Sequence, residues 1–455
     1  MAYDEGNTDS NTDSNTDSNN DCKYRQQQQN RQESHGMKLT RTRYAYSAWL
    51  LAVVLIGGIA VGAQAQQPDI DRWVTAWAMS PSSLPPGMLA ADMASHNEFD
   101  NQTLRQIAHV TAAGDALRVR LSNTHGNKPL QVGAATIAVQ STGGGIDPVS
   151  LQSLSFGDQP GVIIPRGATV FSDPLPFPVE AFANLSISLY LPEASGLPTT
   201  HRAAMQTAFV SAGDQTRAPG IDDAREISFW HYLSAIDVSG GQAVSTIVTV
   251  GDSITDGVGS TVDTNNRWPN LLALRLRDAP GLPVYAVANA GLSGNRVLHE
   301  RSPMFGENLL ARFERDVLAL SNVSHIVLLE GINDMGMSVS MATDQEVSAE
   351  QIIAGYRQLA ERAWANDIKV IGATLTPFEG AGYFTEVGEG KRQQVNAWIR
   401  NSGFFDAVID FDAALGSPGN PARLPADFTS DNLHPNDAGY AVMANSIDLT
   451  IFNQE

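Results

Sequence analysis

Two patterns of apolar and polar positions follow one another along this chain. From about residue 73 to residue 238, short runs alternate apolar with polar residues, as in Leu117-Arg118-Val119-Arg120-Leu121, Ala135-Thr136-Ile137-Ala138-Val139 and Leu185-Ser186-Ile187-Ser188-Leu189-Tyr190. A period of two sends successive side chains to opposite faces, so each run predicts a strand with one face buried. Gly, Pro, Asn and Asp punctuate the runs and no long helical period separates them. The first region is therefore predicted to be an all-β sandwich or jelly roll.

From Val244 onward the pattern becomes apolar strand, loop, amphipathic helix, repeated. Strands are predicted at 246–250, 284–288, 325–329, 370–375 and 408–411, with helical spacing over 268–277, 349–366 and 390–400. Short strands alternating with helices imply a parallel sheet with right-handed crossovers and helices on both faces, a three-layer α/β/α arrangement. Ligands of such sheets bind at the carboxyl ends of the strands.

The first 66 residues carry neither pattern. Residues 7–18 repeat Asn-Thr-Asp-Ser three times and lead into a Gln/Asn-rich tract; too few apolar groups are present to offset the entropy of ordering the backbone, which predicts a disordered extension over 1–36. From Met37, a candidate initiator, the basic residues Lys38, Arg41 and Arg43 precede an apolar stretch over 48–61 and the small-x-small tripeptide Ala63-Gln64-Ala65. That order predicts a secretory signal peptide over 37–65, cleaved after Ala65, with a secreted or periplasmic product. The alternative is an uncleaved anchor, since 44–67 is just long enough to span a bilayer; the short, glycine-containing apolar stretch favours cleavage, leaving no stable membrane span. The remaining chain divides into a β-sandwich domain over 66–240 and an α/β domain over 241–455.

Composition narrows the chemistry. A formal net charge of -20 disfavours sequence-independent nucleic-acid binding, where Lys and Arg neutralise phosphates. Cys22 is the only cysteine, so no intramolecular disulfide, thiolate nucleophile or cysteine-based metal site is available to the folded domains. The glycines at 251–259 lack the lysine of a phosphate-binding loop. No cofactor and no metal is expected.

Four polar clusters follow predicted strands or precede the last helix: Gly251-Asp252-Ser253-Ile254-Thr255-Asp256-Gly257, Asn289-Ala290-Gly291-Leu292-Ser293-Gly294-Asn295, Gly331-Ile332-Asn333-Asp334 and Asp431-Asn432-Leu433-His434-Pro435. A serine hydroxyl needs a general base near neutral pH, and imidazole suits that task. Ser253 is thus the candidate nucleophile, His434 its base, and Asp431 the carboxylate that orients the ring if its loop turns back. The backbone N–H groups of Ser253 and Gly294 and the side-chain amide of Asn333 are the candidate donors to the oxyanion.

These four blocks, in this order, resemble those of the SGNH (GDSL) hydrolase family over roughly 244–455. The resemblance implies a flavodoxin-like α/β/α fold and an ester hydrolase, with Ser253 as nucleophile, Gly294 and Asn333 as oxyanion donors, and Asp431 with His434 as the acid–histidine pair. The first region, with Trp73-Val74-Thr75-Ala76-Trp77 and Arg118-Val119-Arg120-Leu121-Ser122-Asn123, resembles the β-rich domain of a two-domain subgroup similar to bacterial xylan-associated acetylesterases and arylesterases. That implies short acyl, above all acetyl, esters of carbohydrates or small alcohols as substrates, small-molecule or polysaccharide; it does not fix them.

Plainer roles compete for several residues. Gly, Asp and Ser after a strand commonly just make turns, but four such clusters together favour a site. Asp252 reads as a loop-stabilising acceptor, Asp256 as a helix N-terminal carboxylate, and His231, His299 and His325 as structural or exposed. Trp73, Trp77 and Trp230 read as packing before sugar-stacking surfaces. Tyr383 and Phe384 are balanced between pocket lining and core. Two rival functions remain: a lipase or lysophospholipase, disfavoured because no uninterrupted apolar lid segment is present, and a carbohydrate-binding surface protein with a vestigial hydrolase, disfavoured because no triad or oxyanion residue is missing. No oligomeric state follows from the sequence.

Overall fold

In the first region, strand Gly114–Ser122 pairs antiparallel with Leu233–Ser239, which pairs with Val74–Ala78; Thr169–Phe171 and Leu175–Val179 complete this sheet on the other side. A second antiparallel sheet runs Arg225–Ile227, Ala208–Ala212, Gln102–His109, Asn184–Leu191, Ala134–Val139, Gln152–Ser153. These coordinates come from a computed structural model that describes residues 72–84, 98–221 and 223–453. The predicted extension 1–36, the predicted signal peptide 37–65 and its predicted cleavage after Ala65 lie outside the described residues.

The alternation read from the sequence sets the shared core of the two sheets. Leu117, Val119 and Leu121 of the first sheet and Leu185, Ile187 and Leu189 of the second belong to one buried cluster. The polar positions between them are not all solvated. Arg105, fully buried on the second sheet, donates to Ser188 Oγ at 2.8 Å and to the carbonyls of Gly144, Gln215 and Ala218 at 2.7, 3.1 and 2.8 Å. Loops therefore cover the polar face, and burial lowers the Arg105 guanidinium to about 10.

The second region is a five-stranded parallel sheet: β1 (Ser245–Gly251), β2 (Tyr285–Gly291), β3 (Val323–Leu329), β4 (Lys369–Ala373) and β5 (Ala407–Ile409), in the order β2-β1-β3-β4-β5. This is the flavodoxin-like order, with β1 buried along its whole length. Helices α1 (Ser253–Asp256), α2 (Trp268–Arg277), α3 (Leu309–Phe313), α4 (Ile332–Ser340), α5 (Ala349–Trp364), α6 (Glu386–Asn401), α7 (Phe411–Leu415) and α8 (Asp437–Ser446) follow in chain order. They form two packed sets, α2, α7 and α8 in one layer and α3 to α6 in the other.

Several predicted boundaries are corrected: β2 runs on to Gly291 rather than 288, β4 ends at Ala373 rather than 375, and α5 ends at Trp364 rather than 366. The run 408–411 is not all strand: β5 stops at Ile409 because the Asp410 side chain accepts from Ala413 N at 3.1 Å and caps α7, which begins at Phe411. Helix α6 begins at Glu386 rather than at 390, one turn earlier.

An exposed edge of β2 would be a pairing hazard. Thr111 of the first region closes it: its hydroxyl accepts from Val287 N and donates to Val287 O, both at 2.9 Å. Thr75 N donates to Thr246 Oγ1 at 2.9 Å, and Ala286 of β2 joins the core of the β-rich region. Where described, residues 72–401 and 405–453 form one compact unit.

Candidate functional site

The register of the parallel sheet brings the loops together. Gly251 stands opposite Gly291 of β2 and Leu329 of β3, so the chain leaves all three strands at one level. Ser253 follows two residues later, at the first position of α1. A Cβ on Gly251 would lie 2.2 Å from Leu329 O and 2.3 Å from Thr255 Oγ1, so this sharp turn admits only glycine. Asp252 caps α1 by accepting from Ile254 N at 3.0 Å, the acceptor role expected of it.

His434 Nε2 lies 2.8 Å from Ser253 Oγ, and His434 Nδ1 lies 2.6 Å from Asp431 Oδ2. The loop does turn back: Asn432 takes a left-handed φ of 61°, and Asp431 Oδ1 accepts from the backbone N–H of Leu433 and His434 at 3.0 and 2.8 Å. Burial pushes the Asp431 carboxyl up, but the hydrogen bonds from His434 and Leu433 outweigh it and hold the group below its ordinary value. Asp431 is therefore an anion facing the imidazole, and Ser253 has a base at hydrogen-bond distance.

Gly294 adopts a φ of 83°, and a Cβ there would fall 2.2 Å from Phe305 Cδ1. Asn333 lies in the first turn of α4, the helix that follows β3. Its amide nitrogen donates to Asn295 O at 3.0 Å, while its Oδ1 accepts from the Tyr383 hydroxyl at 3.2 Å. These partners define which end of the side chain is nitrogen and leave the second amide hydrogen for another acceptor. Ser253, Gly294 and Asn333 thus stand just beyond the carboxyl ends of β1, β2 and β3.

Beneath these loops lies a buried polar layer. Arg312, inaccessible to solvent, donates to Gly251 O at 3.1 Å, Ala290 O at 3.0 Å, Asn295 Oδ1 at 2.7 Å, Ser80 Oγ at 2.9 Å and Asp316 Oδ2 at 3.3 Å. One guanidinium therefore ties together the turn before Ser253 and the loop bearing Gly294. Three acids accompany it. Burial raises Asp252 to about 7 and Asp334 to about 6, the latter despite bonds from Val297 N and Leu298 N. Glu330, wholly buried, is pushed well above the usual range by the same cause.

Several of these partners carried no signal in the sequence. Asp256 is not simply a helix N-terminal carboxylate: it ends the four-residue α1, and its Oδ1 lies 2.8 Å from His201 Nε2 while its Oδ2 accepts from Ser293 N and Ser293 Oγ at 2.9 and 2.5 Å. His201 and Arg312 lie outside every motif, and only the packing reveals them. Tyr383 proves to touch the site through Asn333. Trp77 and Trp230 are buried edge to face, centroids 4.9 Å apart, and so pack rather than present a sugar-stacking face. His231 and His325 are buried, His299 partly so.

Among the described residues, no group of three or more His, Cys, Asp and Glu side chains is arranged to hold a metal ion, and no helix is long and apolar enough to cross a membrane.

Comparison with known proteins bears on the second region. The family model of the GDSL-like lipase/acylhydrolase family matches residues 249–442. No curated protein sequence matches the chain. Among solved structures, a GDSL-like lipase from Bacteroides thetaiotaomicron VPI-5482 is similar at 22% identity, covering 45% of this chain and 87% of its own, with a TM-score of 0.34. A catalytic mutant of an acetylxylan esterase from Geobacillus stearothermophilus is similar at 21% identity, covering 47% of this chain and 96% of its own, with a TM-score of 0.36.

Proposed function

Since this chain carries a domain of the GDSL-like lipase/acylhydrolase family and is an ester hydrolase, we propose that it removes short acyl groups, above all acetyl, from carbohydrates or small alcohols, with Ser253 as nucleophile. The observation that carries the assignment of residues is the unbroken line of contacts Ser253 Oγ, His434 Nε2, His434 Nδ1, Asp431 Oδ2 at 2.8 and 2.6 Å.

In this reading Ser253 Oγ attacks the ester carbonyl as its proton passes to His434 Nε2, and Asp431 stabilises the resulting imidazolium. Negative charge develops on the carbonyl oxygen, met by the N–H groups of Ser253 and Gly294 and by the Asn333 amide. The tetrahedral intermediate collapses, the C–O bond to the alcohol breaks, and His434 returns the proton to the departing oxygen. Water, deprotonated by His434, then attacks the acyl-Ser253 ester and releases the carboxylic acid. No metal or cofactor takes part in this scheme.

Preference for small acyl groups is supported by the aromatic rings crowded around the oxyanion loops. Phe305 packs against Gly294, and Tyr383 sits against Asn333 and so near Gly336 that a Cβ there would meet it at 2.3 Å. The β-rich region, proposed as a separate domain over 66–240 ahead of a catalytic domain over 241–455, supplies Ser80 and His201 to the underside of these loops. Export, with cleavage after Ala65, rests on the sequence of residues 37–65, and N-terminal sequencing of the product tests it.

The S253A variant should lose hydrolysis of p-nitrophenyl acetate while keeping the far-UV circular dichroism of the parent; substantial remaining turnover would remove Ser253 from the mechanism. A series of aryl esters tests the acyl preference, and activity peaking beyond about eight carbons would favour a lipase instead.

A further inference from the structure

The β-rich region reaches the oxyanion loop through a buried chain of hydrogen bonds that runs by way of His201. His201 lies in the short strand Thr200–His201, paired with Trp230–His231, and is 1% exposed. Its Nδ1 lies 2.9 Å from the carbonyl oxygen of Ser80 and its Nε2 lies 2.8 Å from Asp256 Oδ1. The Ser80 carbonyl and the Asp256 carboxyl group thus hold the ring from both of its nitrogens. The other oxygen of that carboxylate takes both the backbone N–H and the hydroxyl of Ser293, the residue immediately before Gly294.

The next residue repeats the connection by another route. The Arg202 guanidinium lies 5.7 Å from the centroid of the Phe305 ring, and Phe305 packs against Gly294. On the far side of Gly294, Asn295 is held by Arg312 and donates to the carbonyls of Phe305 and Glu307, both at 2.7 Å. Gly294, with its positive φ and no side chain, has little intrinsic preference for one backbone orientation. The direction of its N–H is therefore decided by its neighbours, and the Asp256–Ser293 contact sets one of them.

We propose that His201 is a positioning residue of the hydrolase: held by Ser80, it fixes Asp256, which fixes Ser293 and so aims the Gly294 N–H at the oxyanion. This rests on the reading of Gly294 as an oxyanion donor. The β-rich region is then part of the catalytic apparatus rather than a neighbour of it, and its contribution appears in the transition state, where the charge to be met develops.

The test compares kcat and KM for p-nitrophenyl acetate among the full-length parent, H201A, H201Q, S293A and the double variant H201A/S293A, with S253A as the blank. Removing an oxyanion donor outright costs about 100- to 1,000-fold, and a displaced donor less, so H201A and S293A should each lower kcat by roughly tenfold. KM should stay within about twofold, since the interaction lost belongs to the transition state. H201Q keeps an N–H at the position of Nε2 and should recover most of kcat. The double variant should be no worse than the poorer single variant, because both cut the same chain of bonds.

A folded H201A with parental kcat, losses that multiply in the double variant, or a fall confined to KM overturns the proposal. Should H201A fail to fold, S293A and H201Q decide alone: unchanged kcat in S293A, or an H201Q kcat no better than that of S293A, refutes it. Activity retained by S253A would instead overturn the nucleophile assignment, so the two failures are told apart.

Discussion

Replacing Glu330 with glutamine should remove a pH-dependent loss of stability from this protein. Glu330 is wholly buried at the end of β3, and neither of its carboxyl oxygens has a hydrogen-bond partner among the described residues. Arg312 Nη2 is 3.9 Å away, but the Arg312 donors already serve Gly251, Ala290, Asn295, Ser80 and Asp316, and Asp316 supplies its counter-charge. Burial, with the nearby Asp252 and Asp334 charges, thus outweighs Arg312 and keeps the carboxyl protonated well above its ordinary range. In the unfolded chain the same group ionises near pH 4.3. Between that value and the raised folded value, the folded state binds one proton more than the unfolded state, so stability falls as pH rises, by about 1.4 kcal/mol per pH unit. The slope holds from about pH 5 up toward the raised folded value. The amide introduced by E330Q cannot titrate, and the slopes from Asp252 and Asp334 are common to both proteins. Urea unfolding of the parent and E330Q from about pH 5 upward should show E330Q gaining about 1.4 kcal/mol relative to the parent for each pH unit of that window. Parallel curves would refute the reasoning, and so would an E330Q weaker by about 3 to 5 kcal/mol throughout, because that is the mark of a broken buried ion pair.

Two further substitutions probe the site. D431N leaves the shape of the loop but presents an amide to His434 Nδ1, and kcat should fall on the order of a thousand- to ten-thousandfold with KM nearly unchanged; since the Asp431 side chain is 48% exposed, thermal unfolding should stay close to the parent's, and steady-state kinetics beside a melting curve checks both. N333A removes one oxyanion donor and should lower kcat by about 100- to 1,000-fold, with the loss in kcat/KM matching the loss in kcat. A loss carried by KM instead would make Asn333 a substrate-binding group.

Much of this architecture was legible because the relevant information is local. The period of two in 117–121 and 185–190 placed their apolar residues in one core, and α2 spans Trp268–Arg277 as its spacing predicts. Boundaries set by side chains were less legible: Asp410 ends β5 by capping α7, a choice that depends on its reach to Ala413 N. The polar face of the second sheet was expected to meet solvent, yet Arg105 is buried there, because loops far away in sequence fold over it.

The same division runs through the candidate site. Ser253, Gly294, Asn333, Asp431 and His434 could be named from sequence because each belongs to a short motif whose residue types carry the chemistry, and the order of strands and loops implied a common edge. What only the tertiary structure decided is how that edge is held. His201 meets Asp256 across 55 residues of chain, and Arg312 meets Ser80 across 232. Such contacts depend on sheet register and on how the β-rich region lies against β2, neither of which leaves a periodic trace. Burial then determines the charge of Asp252, Asp334 and Glu330, because a carboxyl group's protonation follows the dielectric and the neighbours around it rather than its own identity.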